Sequence, residues 1–255
     1  MKVVILCGGL GTRLREETEF RPKPIVEIGG KPILWHIMKI YSHFGYRDFI
    51  LCLGYKGHVI KDYFLKHRAM FSDFTLDFGK GKEEYHSNEA EDWRITFAET
   101  GAETKTGGRV KKIEKYINED NFFMTYGDGV ADIDIRALLG HHLRNGKIAT
   151  LTSIQPMSRF GVIEFDDSHS VVSFKEKPKL DGWINAGFFV FKKDIFDYLE
   201  GDPVLEKEPL SKLSRENQLT AYPHRGLWEC MDTHRDFEFL NSLWKDGRAF
   251  WKIWE

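Results

Sequence analysis

The first half of the chain alternates short runs of β-branched and apolar residues with longer segments in which apolar residues recur every three or four positions. Residues 3–6 and 49–53 form two of the short runs, and residues 32–44 between them have helical spacing. This alternation is typical of a parallel sheet covered by helices. Because crossover connections are right-handed, the carboxyl ends of these strands are expected at one edge of the sheet, where such folds bind ligands.

The pattern changes after residue 146, where strands follow one another with few helices between them. In the first half we predict further helices at residues 58–65, 109–117 and 135–145, and further strands at residues 94–98 and 122–126. The later strands are predicted at residues 149–155, 161–165, 171–175 and 186–191. The expected fold is α/β, with a Rossmann-like mixed, mostly parallel sheet flanked by helices and a partly antiparallel C-terminal extension of that sheet. No linker or repeat divides the chain, so residues 1–255 are predicted to form one domain with halves at 1–146 and 147–255.

Two segments do not follow this pattern. Residues 67–93 are polar and interrupted by glycine, so we predict a mobile lid or a subunit contact there. The C-terminal aromatic residues are predicted to be exposed at a subunit interface, where such side chains are enriched. They are Trp244, Phe250, Trp251 and Trp254.

Charge and cysteine content exclude several classes of protein. Lys and Arg number 37 against 39 Asp and Glu, and no basic block is present, so neither nucleic acid nor an anionic membrane is expected as a partner. The cysteines Cys7, Cys52 and Cys230 are odd in number and far apart, which predicts reduced, buried thiols in a cytoplasmic protein. No apolar run approaches the roughly 20 residues that a membrane span needs.

A glycine-rich segment directly follows the first predicted strand. It reads Leu6-Cys7-Gly8-Gly9-Leu10-Gly11-Thr12-Arg13, and Lys23 follows between two prolines. Three glycines in four positions allow the backbone to approach an anion closely and to point N–H groups at it. A tight turn between strand and helix is the alternative, but it leaves Arg13 and Lys23 unexplained. The dinucleotide fingerprint needs glycine where Leu14 stands, and the P-loop needs a Gly-Lys-Ser/Thr that is absent from the sequence.

These residues resemble the signature of the sugar-phosphate nucleotidyltransferases, the nucleotide-sugar pyrophosphorylases. The segment 6–14 with Pro22-Lys23-Pro24 carries the resemblance, and Cys7 replaces the alanine usual in that family. Further motifs resemble the branch of the family that uses CTP and glucose 1-phosphate. They are Glu16-Glu17-Thr18, residues 28–36, Tyr126-Gly127-Asp128-Gly129, and the C-terminal residues 251–255. The resemblance runs the length of the chain.

The resemblance implies transfer of the cytidylyl group of CTP to glucose 1-phosphate, with release of pyrophosphate and Mg²⁺ as cofactor. It also implies a homo-oligomer, a hexamer, that supplies CDP-glucose for bacterial surface polysaccharide. The implied catalytic residues are Arg13, Lys23 and Lys177. The implied nucleotide-binding residues are Leu6, Gly8, Gly9, Leu10, Gly11, Thr12, Arg13, Lys23, Thr104, Arg109 and Asp128, with Arg109 donating to cytosine O2. Glu176, Lys177 and Asn185 are implied to bind the sugar phosphate, and Asp128 and Asp232 to bind the metal.

Considered without the resemblance, several of these residues have a second interpretation. Asp232 precedes a predicted helix at residues 233–245 and is equally well interpreted as its N-cap. Asp128 alone would be a turn residue, although a Gly-Asp-Gly after a buried strand favours close approach of a ligand. Lys177 would be a solvated strand end, and Thr104 to Arg109 would be a helix start with an exposed arginine.

Other functions also remain open on the residues. Asp132 and Asp134 form a D-x-D motif, which binds metal in many glycosyltransferases, although the pair is also explained as the cap of the following helix. A catalytically silent sugar-nucleotide sensor is a second alternative. The presence of all five charged residues expected in the enzyme argues against it, namely Arg13, Lys23, Asp128, Lys177 and Asp232. A nucleotidyltransferase that uses UTP, dTTP or another sugar 1-phosphate is a third.

Overall fold

A computed structural model describes residues 1–9, 11, 14–86, 91–158 and 160–255, and for residues 15 and 16 it describes the backbone only. The strands, in chain order, are β1 Val3–Leu6, β2 Glu27–Ile28, β3 Lys31–Pro32, β4 Asp48–Leu53, β5 Phe74–Asp77, β6 Lys82–Tyr85, β7 Arg94–Glu99, β8 Asn121–Tyr126, β9 Gly129–Ala131, β10 Ala149–Ile154, β11 Val162–Phe165, β12 Val171–Lys175, β13 Ile184–Lys192, β14 Leu219–Pro223 and β15 Trp228–Cys230. The α-helices are α1 Arg15–Thr18, α2 Ile33–His43, α3 Gly57–Phe71, α4 Thr106–Lys112, α5 Ile135–Asn145, α6 Glu208–Arg215 and α7 His234–Lys245. Short 3₁₀ helices cover Lys23–Ile25, Glu114–Tyr116 and Lys193–Tyr198.

Seven strands form one central sheet in the order β14-β10-β13-β8-β1-β4-β7. Its strands are parallel except β13, which runs antiparallel to both of its neighbours. The predicted mixed, mostly parallel sheet is therefore confirmed. Because β10, β13 and β14 join β1, β4, β7 and β8, the sheet draws strands from both halves of the chain.

Strand β1 lies at the centre of this sheet and is buried on both faces. Val3 and Ile5 pack into one apolar cluster with helices α2 and α7, whereas Val4 and Leu6 pack into a second cluster with helices α4 and α6. Alternate residues of a strand point to opposite faces, so a continuous apolar run is what a strand covered on both sides requires. Each fully buried aliphatic side chain of this kind contributes roughly 1.5–3 kcal/mol, which fixes the strand that leads into the glycine-rich segment.

Part of the predicted extension of the sheet was wrong. Among the described strands, β11 and β12 pair only with each other, as an antiparallel hairpin outside the central sheet. The polar segment 67–93 contains the end of α3 and a second hairpin, formed by β5 and β6. Its role as a lid or a subunit contact stays a prediction.

The C-terminal aromatic residues pack inward, so the prediction that they are exposed was wrong. Trp251 is fully buried, and its indole Nε1 donates to Nδ1 of the buried His36 at 3.3 Å. Trp244 and Trp254 contact the same histidine ring edge-on or tilted. These side chains close one end of the core beside α2, where they cover a buried imidazole.

The cysteines are free thiols, of which Cys7 and Cys52 are buried and Cys230 is half-buried. Burial raises the pKa of Cys52 to about 12, so this thiol stays protonated and unreactive at neutral pH. Among the helices of the described residues, none has the length and apolar character that a membrane crossing requires.

Candidate active site

Two loops leave the carboxyl edge of the sheet side by side. Strands β1 and β8 are parallel neighbours in which Leu6 is paired with Tyr126, the last residue of each strand. The backbone N–H of Gly127 donates to the Leu6 carbonyl at 3.1 Å, which extends this pairing into the loops. The glycine-rich segment after β1 therefore lies directly beside Asp128, as the right-handed parallel topology predicts.

A short antiparallel ribbon brings Asp232 to the same place. Strand β15 pairs with β9 so that Cys230 lies opposite Gly129, and the N–H of Met231 donates to the Asp128 carbonyl at 2.9 Å. The residues that follow β15 and precede β9 are thereby held next to each other. This pairing joins two aspartates that are far apart in the sequence.

Asp232 is not the N-cap of α7, so that interpretation was wrong. The cap is Thr233, whose side chain accepts from the N–H of Asp236, while the Asp236 carboxylate accepts from the N–H of Thr233 at 2.9 Å. This reciprocal pair is a capping box, which satisfies the helix start without Asp232. The Asp236 carboxylate also accepts from the N–H of Asp232 at 3.1 Å, so it orients Asp232 as well.

Lys23 joins the two aspartates. It begins the 3₁₀ helix Lys23–Ile25, and its Nζ lies 2.8 Å from Oδ2 of Asp128 and 2.5 Å from Oδ1 of Asp232. Burial by itself would lower the pKa of Lys23, but the two carboxylates outweigh it and raise that pKa above its ordinary value. Lys23 therefore remains an ammonium ion held between two carboxylates.

The two aspartates fit a hard divalent cation. Their carboxylates already converge on one positive charge, the ammonium of Lys23. Mg²⁺ is usually bound through one or two carboxylates, with substrate phosphates and water completing its coordination. Among the described residues there is no group of three or more His, Cys, Asp or Glu side chains that could enclose a metal by itself. The arrangement thus suits a metal that is bound together with a phosphorylated substrate.

A cavity of about 560 Å³ opens beside these charges, which is within the usual range for small-molecule sites. The described nucleotide-binding candidates all line it, namely Leu6, Gly8, Gly9, Gly11, Lys23, Thr104, Arg109 and Asp128. Leu10, Thr12 and Arg13 lie outside the described residues. The cavity is also lined by residues that the sequence did not single out as binding residues, including Tyr126, Val204, Trp228 and Cys230. Tyr126 ends a predicted strand in front of the Gly-Asp-Gly, and this position was the available signal.

Arg109 is buried rather than exposed. Its guanidinium donates to the carbonyls of Gly8, Leu53, Gly101 and Ala102 and to the hydroxyl of Thr100, at distances from 2.7 to 3.2 Å. Burial lowers its pKa from the ordinary value, but an arginine stays protonated in proteins. Thr104 is engaged too, since its hydroxyl donates to the Thr100 carbonyl and accepts from Lys112.

None of the three sugar-phosphate candidates lines the cavity. Asn185 lies on β13, where its Oδ1 accepts from the N–H of Gly187 at 2.9 Å. Glu176 and Lys177 follow β12 on the separate hairpin, where both side chains are exposed and neither lines the cavity. Their role in binding a sugar phosphate stays a prediction.

The D-x-D motif is used for local structure. Asp134 is the N-cap of α5 and accepts from the N–H of Ala137 at 2.9 Å. One carboxylate oxygen of Asp132 accepts from Nε2 of His224 at 2.8 Å and from the N–H of Leu227 at 2.7 Å. Neither aspartate lines the cavity, so the motif gives the glycosyltransferase alternative no support.

Comparison with known proteins shows the family of the chain. The nucleotidyl transferase family matches residues 2–246, and the chain belongs to that family. Glucose-1-phosphate cytidylyltransferase of Salmonella typhi is 50% identical over 258 residues, with 100% of both chains covered. The Bacillus subtilis protein named "Probable glucose-1-phosphate cytidylyltransferase" is 45% identical over 256 residues, again with 100% of both covered. Within its family, the chain is thus similar end to end to glucose-1-phosphate cytidylyltransferases.

A solved structure shares the fold. The crystal structure of HddC from Yersinia pseudotuberculosis matches with a TM-score of 0.71 at 25% identity, and the match covers 95% of this chain and 99% of that chain. Nucleotidyltransferases of this family generally use a divalent metal. The convergence of Asp128 and Asp232 on one cation is consistent with that requirement.

Proposed function

We propose that the chain transfers the cytidylyl group of CTP to α-D-glucose 1-phosphate, giving CDP-glucose and pyrophosphate. The observation that carries the proposal is 50% identity along the whole chain to a glucose-1-phosphate cytidylyltransferase. It is supported by a cavity in which a glycine-rich segment, one lysine and two aspartates meet. We further propose that the enzyme is cytoplasmic and homo-oligomeric, as its sequence predicts.

The reaction is a substitution at phosphorus. An ionised phosphate oxygen of the sugar forms a bond to the α-phosphorus of CTP, while the bond from that phosphorus to the bridging oxygen breaks and pyrophosphate leaves. No general base is needed, because the attacking oxygen carries no proton. The obstacle is charge, since at an effective dielectric near 20 each pair of like charges 4 Å apart costs about 4 kcal/mol. Alignment and neutralisation therefore account for most of the catalysis.

The residues at the cavity would have separate roles in this reaction. Asp128 and Asp232 would hold Mg²⁺, and Lys23, adjacent to both, would stabilise the charge on the leaving pyrophosphate. The metal supplies polarisation of the phosphate oxygens and a fixed orientation of the substrates. Arg13 is proposed to assist Lys23. The glycine-rich segment would approach the triphosphate closely enough for backbone N–H groups to bind it.

Base recognition is proposed at the cavity wall, and sugar recognition by residues outside the described lining. Thr104 and the segment around Gly8 face the cavity where backbone groups can pair with the edge of a cytosine. Cytosine has an acceptor at position 3 and a donor at position 4, whereas uracil has the reverse. A site whose groups pair with cytosine would therefore leave buried protein groups unpaired when uracil binds. Lys177 is proposed to bind the phosphate of glucose 1-phosphate, and Glu176 and Asn185 its hydroxyls.

The test is release of pyrophosphate from each of CTP, UTP, dTTP and ATP, with and without glucose 1-phosphate and Mg²⁺. We expect release that depends on both additions and a preference for CTP over UTP of at least 100-fold in kcat/KM. Preference for UTP or dTTP would refute the cytidylyl assignment and keep the nucleotidyl transfer. Release of pyrophosphate from none of the four would refute both.

A matched pair of variants separates the proposed metal site from the D-x-D motif. Asp232→Asn is expected to raise the Mg²⁺ concentration required for half-maximal activity by at least tenfold. Asp134→Asn changes the same functional group in a helix cap, where asparagine serves equally well, so activity should be retained. The reverse result would reassign the metal to the D-x-D motif and favour a glycosyltransferase.

A further inference from the structure

One guanidinium joins the ends of three adjacent strands at the wall of the cavity. Strands β1, β4 and β7 are neighbours in the sheet, and the acceptors of Arg109 follow or end them. Nη2 donates to Gly8, just after β1, at 3.0 Å, and Nη1 donates to Leu53, the last residue of β4, at 3.2 Å. Nη1 also donates to the carbonyl of Gly101, beyond β7, at 2.7 Å. The side chain thus ties together the backbone on which the glycine-rich segment rests.

The surrounding residues are shaped around this guanidinium. A Cβ atom placed on Gly8 would lie 2.1 Å from Nη1 of Arg109, and one on Gly54 would lie 2.5 Å from the same atom. Real Cβ contacts are not that short, so any larger residue at either position would displace the guanidinium. Gly9, the next residue, has no heavy atom within 4 Å of its hypothetical Cβ. The requirement for glycine at Gly8 therefore comes from Arg109, whereas at Gly9 it does not.

The charge of Arg109 is not cancelled by a bonded carboxylate. Among the described residues, the acceptors that bond its guanidinium are all carbonyl or hydroxyl oxygens. Carbonyl dipoles satisfy its hydrogen bonds without neutralising its charge, and the Asp202 carboxylate acts on it only through space. A lysine could not reproduce this arrangement, because an ammonium has three donors on one atom whereas the guanidinium is a planar fork.

We propose that Arg109 is a positioning residue for the triphosphate of the nucleotide, acting through the Gly8 carbonyl and not through contact with the base. By holding that carbonyl, it fixes the orientation of the peptide group that joins Gly8 to Gly9. The inference rests on the proposed function only in naming the ligand; the coupling between Arg109 and Gly8 is independent of it.

The ligand test uses a probe without a base. Binding of CTP and of inorganic tripolyphosphate, each with Mg²⁺, is measured by calorimetry on the wild type, Arg109→Ala and Arg109→Lys. We expect each variant to raise the Kd of both CTP and tripolyphosphate at least tenfold. For a given variant, the two increases should agree within threefold. Weaker CTP binding with unchanged tripolyphosphate binding would overturn the proposal in favour of direct contact with the base. Failure of the wild type to bind CTP would refute the proposed function instead.

The second test is a double-mutant cycle that needs no ligand. Gly8→Ala is combined with Arg109→Ala, or with Arg109→Lys should the alanine variant not fold, and unfolding by urea is measured. Gly8→Ala should raise the unfolding equilibrium constant by some factor in the wild-type background and by a smaller factor in the Arg109 variant. We expect the first factor to be at least ten times the second. The matched control, Gly9→Ala with the same Arg109 change, should be additive. Additive effects for Gly8 as well would overturn the proposal.

Discussion

Replacing Lys23 by methionine should tighten metal binding in the absence of nucleotide while abolishing most of the activity. The ammonium lies 2.8 Å from one carboxylate and 2.5 Å from the other, so a metal that uses both must first displace it. Methionine keeps most of the apolar stem and removes the charge. Asp128 and Asp232 would then face each other without the ammonium between them.

The size of the effect follows from these distances. A pair of unit charges 2.8 Å apart at an effective dielectric near 20 interacts by about 6 kcal/mol. Desolvation of the ammonium and its renewed contact with phosphate or water offset most of that energy. A net gain of about 1.4 kcal/mol or more remains, which is at least a tenfold tighter Kd for the metal. Turnover should fall at least 100-fold, about 3 kcal/mol, because the leaving pyrophosphate loses a fixed cation.

The assay is calorimetric titration of the apoprotein with Mg²⁺ or Mn²⁺. Lys39→Met is the matched control, since Lys39 is also a partly buried lysine paired with a carboxylate, Glu91, at 3.1 Å and outside the cavity. It should leave metal affinity unchanged. An unchanged metal Kd in Lys23→Met would refute the idea that ammonium and metal compete for the same two carboxylates.

The same variant has a defined pH dependence. The pKa of Lys23 is higher in the folded chain than in the unfolded one, so its stabilising contribution is complete below the ordinary lysine value. As the pH rises above about 10.5 and then through the raised pKa, that contribution is lost. The difference in free energy of unfolding between wild type and Lys23→Met, measured without metal, should therefore shrink over this alkaline range. A difference independent of pH would contradict the ion-pair origin of the shift.

Three further outcomes are expected. Lys177→Ala should raise KM for glucose 1-phosphate at least tenfold and leave calorimetric CTP binding unchanged; weaker CTP binding would place it at the nucleotide. Burial lowers the pKa of His142 to about 4, so stability falls as pH drops below 6.5, by about 2 kcal/mol at pH 5. Urea unfolding of His142→Gln should show a correspondingly smaller pH dependence, and an equal one would refute this origin. Asp128→Asn with Asp232→Asn should lose far less activity than the product of the single losses, whereas full additivity would contradict one shared metal.

Local pattern predicted those parts of the fold that local forces determine. Strand β1 and helix α2 both appear as expected, because their buried residues occur in a contiguous run or at helical spacing. The separate hairpin of β11 and β12 was missed for the same reason. Its apolar residues alternate as in a sheet strand, yet Phe165, Val172 and Phe174 are more than half exposed. A pattern gives the period of a strand, but it does not give the partner that the strand pairs with.

The candidate metal site shows the same limit. Strands β9 and β15 have three residues each, too few for any period to be visible, and their pairing is what brings Asp232 to Asp128. From the sequence, metal binding and helix capping were equal alternatives for Asp232, because Asp232 and Thr233 are adjacent and both residue types are good N-caps. The capping box with Asp236 decides between them in the structure. For Arg109, the sequence pattern indicated an arginine near the start of a helix but could not show that this side chain is buried.

The charge of the cavity explains why further cations are required. Among the described residues, its charged lining consists of Lys23, Lys105, Arg109, Asp128 and Asp232, three positive groups and two negative ones, for a net charge of about +1. A nucleoside triphosphate with a sugar phosphate brings about six negative charges, and one divalent metal neutralises two of them. About three negative charges remain without a partner, which in a partly buried site is too costly to leave uncompensated. Arg13 and Lys177 are the remaining cations that the sequence assigns to the phosphates. Since Lys177 is carried on a hairpin that pairs with no strand of the central sheet, we expect it to reach the cavity by movement of that hairpin when the sugar phosphate binds.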